Sequence, residues 1–196
     1  MIFFTSDTHF SHVRINELAD RPFSDVNHMN EMLVKGWNET VAPDDHVYHL
    51  GDVALGSFVD SIQYVKRLAG IKLLVPGNHD RVSSVESLAR QERFRPAYDE
   101  VFDMVLSESE TVQLVPDGPL IGLSHYPYDG DSHIEDRFSA LRPLDNGRVL
   151  LHGHTHSKEK ISYSAKGTLQ IHVGVDAWNY FPVSEYTILK LIKENS

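Results

Sequence analysis

Short apolar runs alternate with polar clusters along the first half of the chain, and aspartate, histidine, asparagine and glycine recur in those clusters. Ile2-Phe3-Phe4-Thr5 predicts a first strand that ends at Ser6-Asp7-Thr8-His9. From Ser24 to about Trp37, Val26, Met29, Met32, Leu33 and Trp37 recur at helical spacing and define one apolar face. Val47-Tyr48-His49-Leu50 predicts a strand ending at Gly51-Asp52. Ser57 with Asp60 three residues on has the form of a capping box, opening a helix with Phe58, Ile62, Val65 and Leu68 on one face and Gly70 as its stop. Ile71 to Val75 predicts a strand that runs into Pro76-Gly77-Asn78-His79-Asp80, and Ser83 with Glu86 predicts another capped helix.

The second half has a different texture. Residues 103–107 and 110–115 predict strands, and Pro116-Asp117-Gly118-Pro119 predicts a turn. Leu120 to Ser124 predicts a strand ending at His125, and 126–146 reads as a long irregular loop with some helix. Arg148 to Leu151 predicts a strand leading into His152-Gly153-His154-Thr155-His156; Thr168 to Val175 predicts a late strand, and a helix follows from Ser184. The β-α-β-α-β opening implies a parallel sheet covered by helices, and the strand-rich remainder implies a second sheet. The expected class is α/β: a two-sheet β-sandwich flanked by helices, formed by residues 1–196 as a single domain.

Composition narrows the picture. At 196 residues, with 41% hydrophobic and 23% charged residues, the chain can build one substantial core. No run approaches the ~20 apolar residues of a membrane span, and the N-terminus lacks the basic and apolar regions of a signal peptide. Cysteine is absent, which excludes disulfides and thiolate metal sites and fits a cytoplasmic protein. The net charge of −10 and the lack of a lysine or arginine cluster argue against an extended nucleic-acid surface. Nothing fixes the oligomeric state.

Five predicted strands each end in side chains able to bind a metal: Asp7 and His9, Asp52, Asn78, His125, and His154 with His156. Ligands bind at the ends of strands in α/β proteins. An extended chain presents residues i and i+2 on one side, so Asp7/His9 and His154/His156 would act as pincers. A carboxylate can bridge two metals, which an imidazole does not normally do, and Asp52 is the candidate bridge.

The motifs Asp7-Thr8-His9, Gly51-Asp52, Gly77-Asn78-His79-Asp80, His125 and Gly153-His154-Thr155-His156 stand in the order found in calcineurin-like metallophosphoesterases, which this chain resembles from the first strand to His156. Arg21-Pro22-Phe23 and Gly174-Val175-Asp176-Ala177-Trp178-Asn179-Tyr180 resemble the small stand-alone bacterial and phage members. The resemblance implies a four-layer α/β/β/α fold. It also implies a two-cation centre, with one ion held by Asp7, His9, Asp52 and His156 and the other by Asp52, Asn78, His125 and His154. Mixed imidazole and carboxylate ligands suit Mn²⁺, Fe, Zn or Ni, and family habit favours Mn²⁺. Two such cations would activate a water for in-line attack on phosphorus. His79 would face the substrate and protonate the leaving oxygen, oriented by Asp80.

Each residue also has a plainer reading. Asp7 and Asp52 could cap helices, and Asn78 could serve a turn. His28, His46, His49, His133 and His172 read as surface or structural, whereas His12 and His152 could stand beside ligands. Arg21 could contact a phosphate or be a surface arginine before proline; Trp178 and Tyr180 could line the pocket or pack in the core. The function expected is hydrolysis of phosphate esters, small phosphodiesters such as cyclic nucleotides first. The alternatives are a phosphomonoesterase or nucleotide phosphatase, and a catalytically inert binding scaffold with this fold. The expected partner is a small phosphate-ester substrate, with no membrane involved.

Overall fold

A computed structural model describes residues 1–131, 133 and 137–195. In chain order its elements are β1 (Ile2–Thr5), α1 (Ile15–Leu18), α2 (Val26–Thr40), β2 (His46–His49), α3 (Phe58–Ser61), α4 (Gln63–Lys66), β3 (Ile71–Leu74), α5 (Leu88–Asp99), β4 (Met104–Val105), β5 (Ser109–Val112), β6 (Ile121–Ser124), β7 (Leu150–His152), β8 (Ile161–Tyr163), β9 (Leu169–His172), β10 (Val183–Ser184) and α6 (Glu185–Asn195). Two five-stranded mixed sheets form, in the orders β10-β1-β2-β3-β4 and β5-β6-β7-β9-β8. Helices flank them, as expected of the α/β sandwich.

Strand alternation sorts the apolar residues into two cores. Phe3 and Val47 face the helices and pack in a cluster with Met29, Leu33, Trp37, Tyr98 and Phe102. Phe4, Leu50 and Val75 face the other way and share the inter-sheet core with Leu123, Leu151, Ile171 and Ile188 of α6. Each such fully buried side chain contributes about 1.5–3 kcal/mol. Tyr128 covers part of the far face of the second sheet. Tyr128 donates its backbone N–H to Gln170 on β9 at 2.6 Å, and its hydroxyl donates to the Arg148 carbonyl at 3.0 Å. Among the described residues of 126–146, the regular structure is a 3-10 turn at Ser139–Leu141.

β1, β2 and β3 run parallel, as do β6, β7 and β9. A parallel bridge between Ser6 and Gly174 ties the end of β1 to the end of β9. The carboxyl ends of both parallel sets therefore converge on one place, and every polar cluster predicted from the sequence lies there.

Several local expectations change. The helix predicted after Ser57 is broken into α3 and α4, and no side-chain cap forms at Ser57. Instead Ser61 Oγ donates back to the Ser57 carbonyl at 2.7 Å, a bond that competes with the helical ladder and bends it. The helix predicted at Ser83 starts at Leu88. Ser83 and Ser84 are taken by the Glu108 carboxylate, at 2.8 Å and 2.6 Å through their hydroxyls. Asp25 caps α2 by accepting the His28 N–H at 2.8 Å. The short elements α1, β8 and β10 have no periodic signal. No helix among the described residues is long and apolar enough to cross a membrane.

Candidate metal centre

Five turns at strand ends build the centre. Asp7, fully buried, donates its N–H to the Gly51 carbonyl at 3.0 Å, and His9 donates its own to the Asp52 carbonyl at 3.0 Å, so the first turn is bonded to the second. The Asp7 carboxylate accepts the Ser6 hydroxyl at 2.5 Å and the His154 N–H at 3.1 Å to each oxygen, which ties the first turn to the last. Gly77 and Gly51 pack back to back; a Cβ on Gly51 would stand 2.6 Å from Gly77 Cα. This close approach is open only to glycine.

Asp7 and His9 form the predicted pincer, but not from extended chain, whereas His154 does not join His156 in one. Asp7, His9, Asp52, His154 and His156 all have left-handed backbone, with φ of 57°, 49°, 56°, 69° and 50°. Turning at each ligand, rather than strand alternation, brings the side chains together.

Among the described residues two groups of donor atoms result, each with all members within 4.8 Å of one another: Asp7, His9 and His156, and Asp7, Asp52 and His125. Asp7 belongs to both. Asp52 spans the same gap, its Oδ2 lying 3.5 Å from His9 Nε2 and its Oδ1 3.5 Å from His125 Nε2. His125 Nε2 is also 3.1 Å from Asn78 Oδ1. His154 belongs to neither group: its Nε2 sits 3.3 Å from Asp131 Oδ2.

The imidazoles are prepared as ligands. His125 Nδ1–H donates to the Leu50 carbonyl at 2.7 Å and His156 Nδ1–H to Asp176 Oδ2 at 2.9 Å, so Nε2 carries the lone pair in each ring. Both nitrogens of His9 are buried without a hydrogen-bond partner among the described residues. Such unmade bonds cost about 1–3 kcal/mol each unless something supplies the missing partner, and a cation between His9, Asp7 and His156 would do so for one of the two nitrogens. The residues therefore fit a metal.

Charge follows the same logic. Burial opposes ionisation of Asp7, but His156, His125, His172 and His9 outweigh it and hold its pKa well below the usual carboxylate range. Burial, helped by His156, keeps His9 neutral by pushing its pKa well below the usual value. Burial and His125 lower His154 to about 4.

The remaining candidates find definite places. His79 is 43% exposed at the side chain, with Nε2 4.0 Å from Asp52 Oδ2, and its N–H donates to Asp52 Oδ1 at 2.9 Å. Asp80 does not orient His79. Its buried carboxylate accepts the Asp52 and Gly77 N–H groups, both at 2.8 Å, the Val53 N–H at 3.2 Å and the Tyr98 hydroxyl at 3.3 Å, so it braces the turn that carries Asp52. Arg21 is neither a surface residue nor a phosphate contact: it is buried and forks onto Asp176. Trp178 donates to the His172 carbonyl at 2.7 Å, and Tyr180 packs on Phe23, so both serve the core. His12 lines the cleft beside His9, whereas His152 packs at a tilt against His172 behind the centre. Asp131 and Asp176 have no signal of their own in the sequence. Asp131 lies in an irregular stretch, and Asp176 is a lone acid in an apolar segment.

The centre forms the floor of a cleft of about 580 Å³. Ile15, Leu18 and Ala19 make one wall, and Arg137 and Lys158 stand among the other lining residues.

Known proteins agree with this architecture. The Gene 66 protein of Mycobacterium phage L5 is 37% identical over 183 residues, covering 89% of this chain and 86% of its own. The uncharacterised protein MJ1445 of Methanocaldococcus jannaschii is 30% identical over 197 residues, covering 98% and 92%. Among solved structures, the protein of unknown function AQ665 from Aquifex aeolicus superposes with a TM-score of 0.70 at 27% identity, covering 97% of this chain and 98% of its own. Residues 1–191 match the model of the calcineurin-like phosphoesterase superfamily domain, and the chain belongs to that superfamily.

Proposed function

We propose that the chain is a metal-dependent hydrolase of small phosphodiesters, cyclic nucleotides among them. The observation that carries this reading is the convergence of Asp7, His9, Asp52, Asn78, His125 and His156 on the floor of an open cleft, with His79 exposed above them. One cation would be held by Asp7, His9, Asp52 and His156, and a second by Asp52, Asn78 and His125 with His154 adjacent. Mn²⁺ is favoured over Fe, Zn or Ni. Divalent cations there supply Lewis-acid polarisation of water and of the phosphoryl oxygens.

The chain's own groups do the rest. His79 reaches into the cleft and can deliver a proton to the leaving oxygen. Its backbone N–H, bonded to Asp52 Oδ1, fixes the carboxylate between the two groups of ligands. The cleft volume is within the range of small-molecule sites, and the Ile15, Leu18 and Ala19 wall suits an organic ester substituent.

A diester carries one negative charge at its phosphate and a monoester up to two. The cations beside the cleft are already paired, Lys158 with Asp20 at 2.7 Å and Arg137 with Asp131 at 2.8 Å. Beyond the bound cations themselves, these paired side chains offer little to a second phosphate charge, and this supports the diester.

Chelator-stripped protein is assayed on bis-p-nitrophenyl phosphate and on p-nitrophenyl phosphate, before and after Mn²⁺ is added. Mn²⁺-dependent cleavage of the diester is expected. Cleavage of the monoester alone overturns the diester reading, and no cleavage of either ester with any divalent metal turns the assignment to the inert scaffold.

A further inference from the structure

Two charged side chains are as buried as the candidate ligands and have no part in the chemistry described so far. Arg21 and Asp176 are buried, their side chains 0% and 1% exposed. Two parallel bonds join them, Nε to Oδ1 at 2.8 Å and Nη2 to Oδ2 at 3.0 Å. Such a fork fixes the plane of both groups. The remaining bonds of the pair reach four residues, one of them Met29, whose Sδ accepts from Arg21 Nη1 at 3.4 Å. Arg21 Nη2 donates to the Asp7 carbonyl at 2.7 Å and Nη1 to the Thr8 carbonyl at 3.2 Å, while Asp176 Oδ2 accepts from His156 Nδ1 at 2.9 Å.

Asp176 reaches His156, and Arg21 reaches the main chain of Asp7 and Thr8 and not the carboxylate that both groups of donor atoms share. Asp7, His9 and His156 form one compact group of donor atoms. The pair holds the Asp7–His9 turn through its carbonyls and His156 through its ring. No hydrogen bond among the described residues runs from the pair to Asp52, Asn78, His125 or His154.

We propose that Arg21 and Asp176 are positioning residues for one metal position only, the one served by Asp7, His9 and His156. The inference rests on the reading of the centre as a metal site. Asp176 fixes His156 as the Nδ1–H tautomer and so presents Nε2 as a ligand. Arg21 fixes the plane of that carboxylate through its fork and holds the two carbonyls of a left-handed turn. A buried ion pair is a weak source of net stability compared with apolar side chains of the same volume, so its place here follows from the orientation it imposes.

The test is calorimetric titration of chelator-stripped protein with Mn²⁺ alone, on the parent and on Asp176→Asn, Arg21→Lys, His156→Ala and the double variant His156→Ala/Asp176→Asn. Far-UV circular dichroism checks folding first. The parent should show two binding steps. Asp176→Asn should weaken one by about 10–100-fold and move the other by less than about threefold. Arg21→Lys keeps the charge but cannot make the fork, and it should weaken the same step; it decides the matter if Asp176→Asn does not fold. In the His156→Ala background, Asp176→Asn should add less than about threefold. Equal weakening of both steps, no weakening in either variant, or additive losses in the double variant overturns the proposal. A parent that binds no Mn²⁺ overturns the metal reading itself, and this is seen before any variant is compared.

Discussion

Gly77→Ala should damage the centre without touching a candidate ligand. A Cβ at this position would stand 2.7 Å from the Asp52 N atom, 2.8 Å from His125 Nδ1 and closer still to Asp52 Oδ1. Ordinary contact begins at 3.4 Å, so the 2.7 Å approach is about 0.7 Å too short. Asp52 has nowhere to retreat. Its N–H is bonded to Asp80 at 2.8 Å and its Oδ1 to the His79 N–H at 2.9 Å, so relief must break one of these or displace the carboxylate. Overpacking of this kind costs about 1–3 kcal/mol, which lowers the melting temperature by about 2–12 °C for a chain of this size. Misplacing a reacting group by about 1 Å costs on the order of 10²-fold in rate. The assay pairs Mn²⁺-dependent hydrolysis of bis-p-nitrophenyl phosphate with a thermal melt. Gly147→Ala is the control. That residue has positive φ, at 83°, which Gly77 does not, and nothing lies within 4 Å of its added Cβ. It should lose about 1 kcal/mol from backbone strain and keep its activity. If Gly77→Ala hydrolyses within about threefold of the parent, the close approach of the two glycine turns does not position Asp52 for the chemistry.

Three further outcomes follow. Asp52→Asn should lower hydrolysis to the chelator-treated level, and unchanged turnover would defeat the two-cation reading. His79→Ala should slow esters with poor leaving groups by about 10²–10⁴-fold and activated aryl esters much less; equal losses, compared in parallel rate measurements, would exclude a proton-donor role. Chelator-stripped protein should melt higher as Mn²⁺ is added, because ligand at 100 times its Kd adds about 2.7 kcal/mol. A melting curve indifferent to Mn²⁺ and to other divalent metals would mean that the unpartnered nitrogens of His9 have some other purpose.

The parts of the fold legible in the sequence are those set by local periodicity. Phe3 and Phe4 are neighbours in a strand, so the pleat alone sends them to different cores, and the polar residues after each apolar run mark where strands stop. Partner choice over distance is not legible. Arg21 and Asp176 are separated by 155 residues, and nothing local to either shows that they form a fork. Adjacency misleads in the same way: Asp80 follows His79 in the chain, yet its carboxylate turns inward to the Gly77 and Asp52 amides. Serines present the same difficulty, since Ser57 and Ser83 have the spacing of caps while Ser61 and Glu108 compete for the bonds that capping would use. A hydroxyl takes the nearest good acceptor, and sequence spacing does not reveal that choice.

The backbone of the centre explains why its ligands sit just past the strands and not within them. Five of the seven candidate ligands, Asp7, His9, Asp52, His154 and His156, are left-handed. At roughly 1–2 kcal/mol per residue, five such turns together cost about 5–10 kcal/mol, which is comparable with the whole stability of a typical domain. Aspartate and histidine enter this region more readily than most residues, but conformations of this kind persist only where the surroundings hold them. Here the turns hold one another. Asp7 donates to the Gly51 carbonyl and His9 to the Asp52 carbonyl, His154 donates to the Asp7 carboxylate, and Asp52 is fixed by Asp80. No turn is stable as a separate unit, so the centre forms with the two sheets or not at all. A carboxylate such as Asp7 is then both a candidate ligand and the acceptor that seats another candidate. Its loss disturbs His154 as well, although the two are 147 residues apart. The imidazoles and carboxylates face one another because the chain turns there, and a cation finds its ligands already assembled.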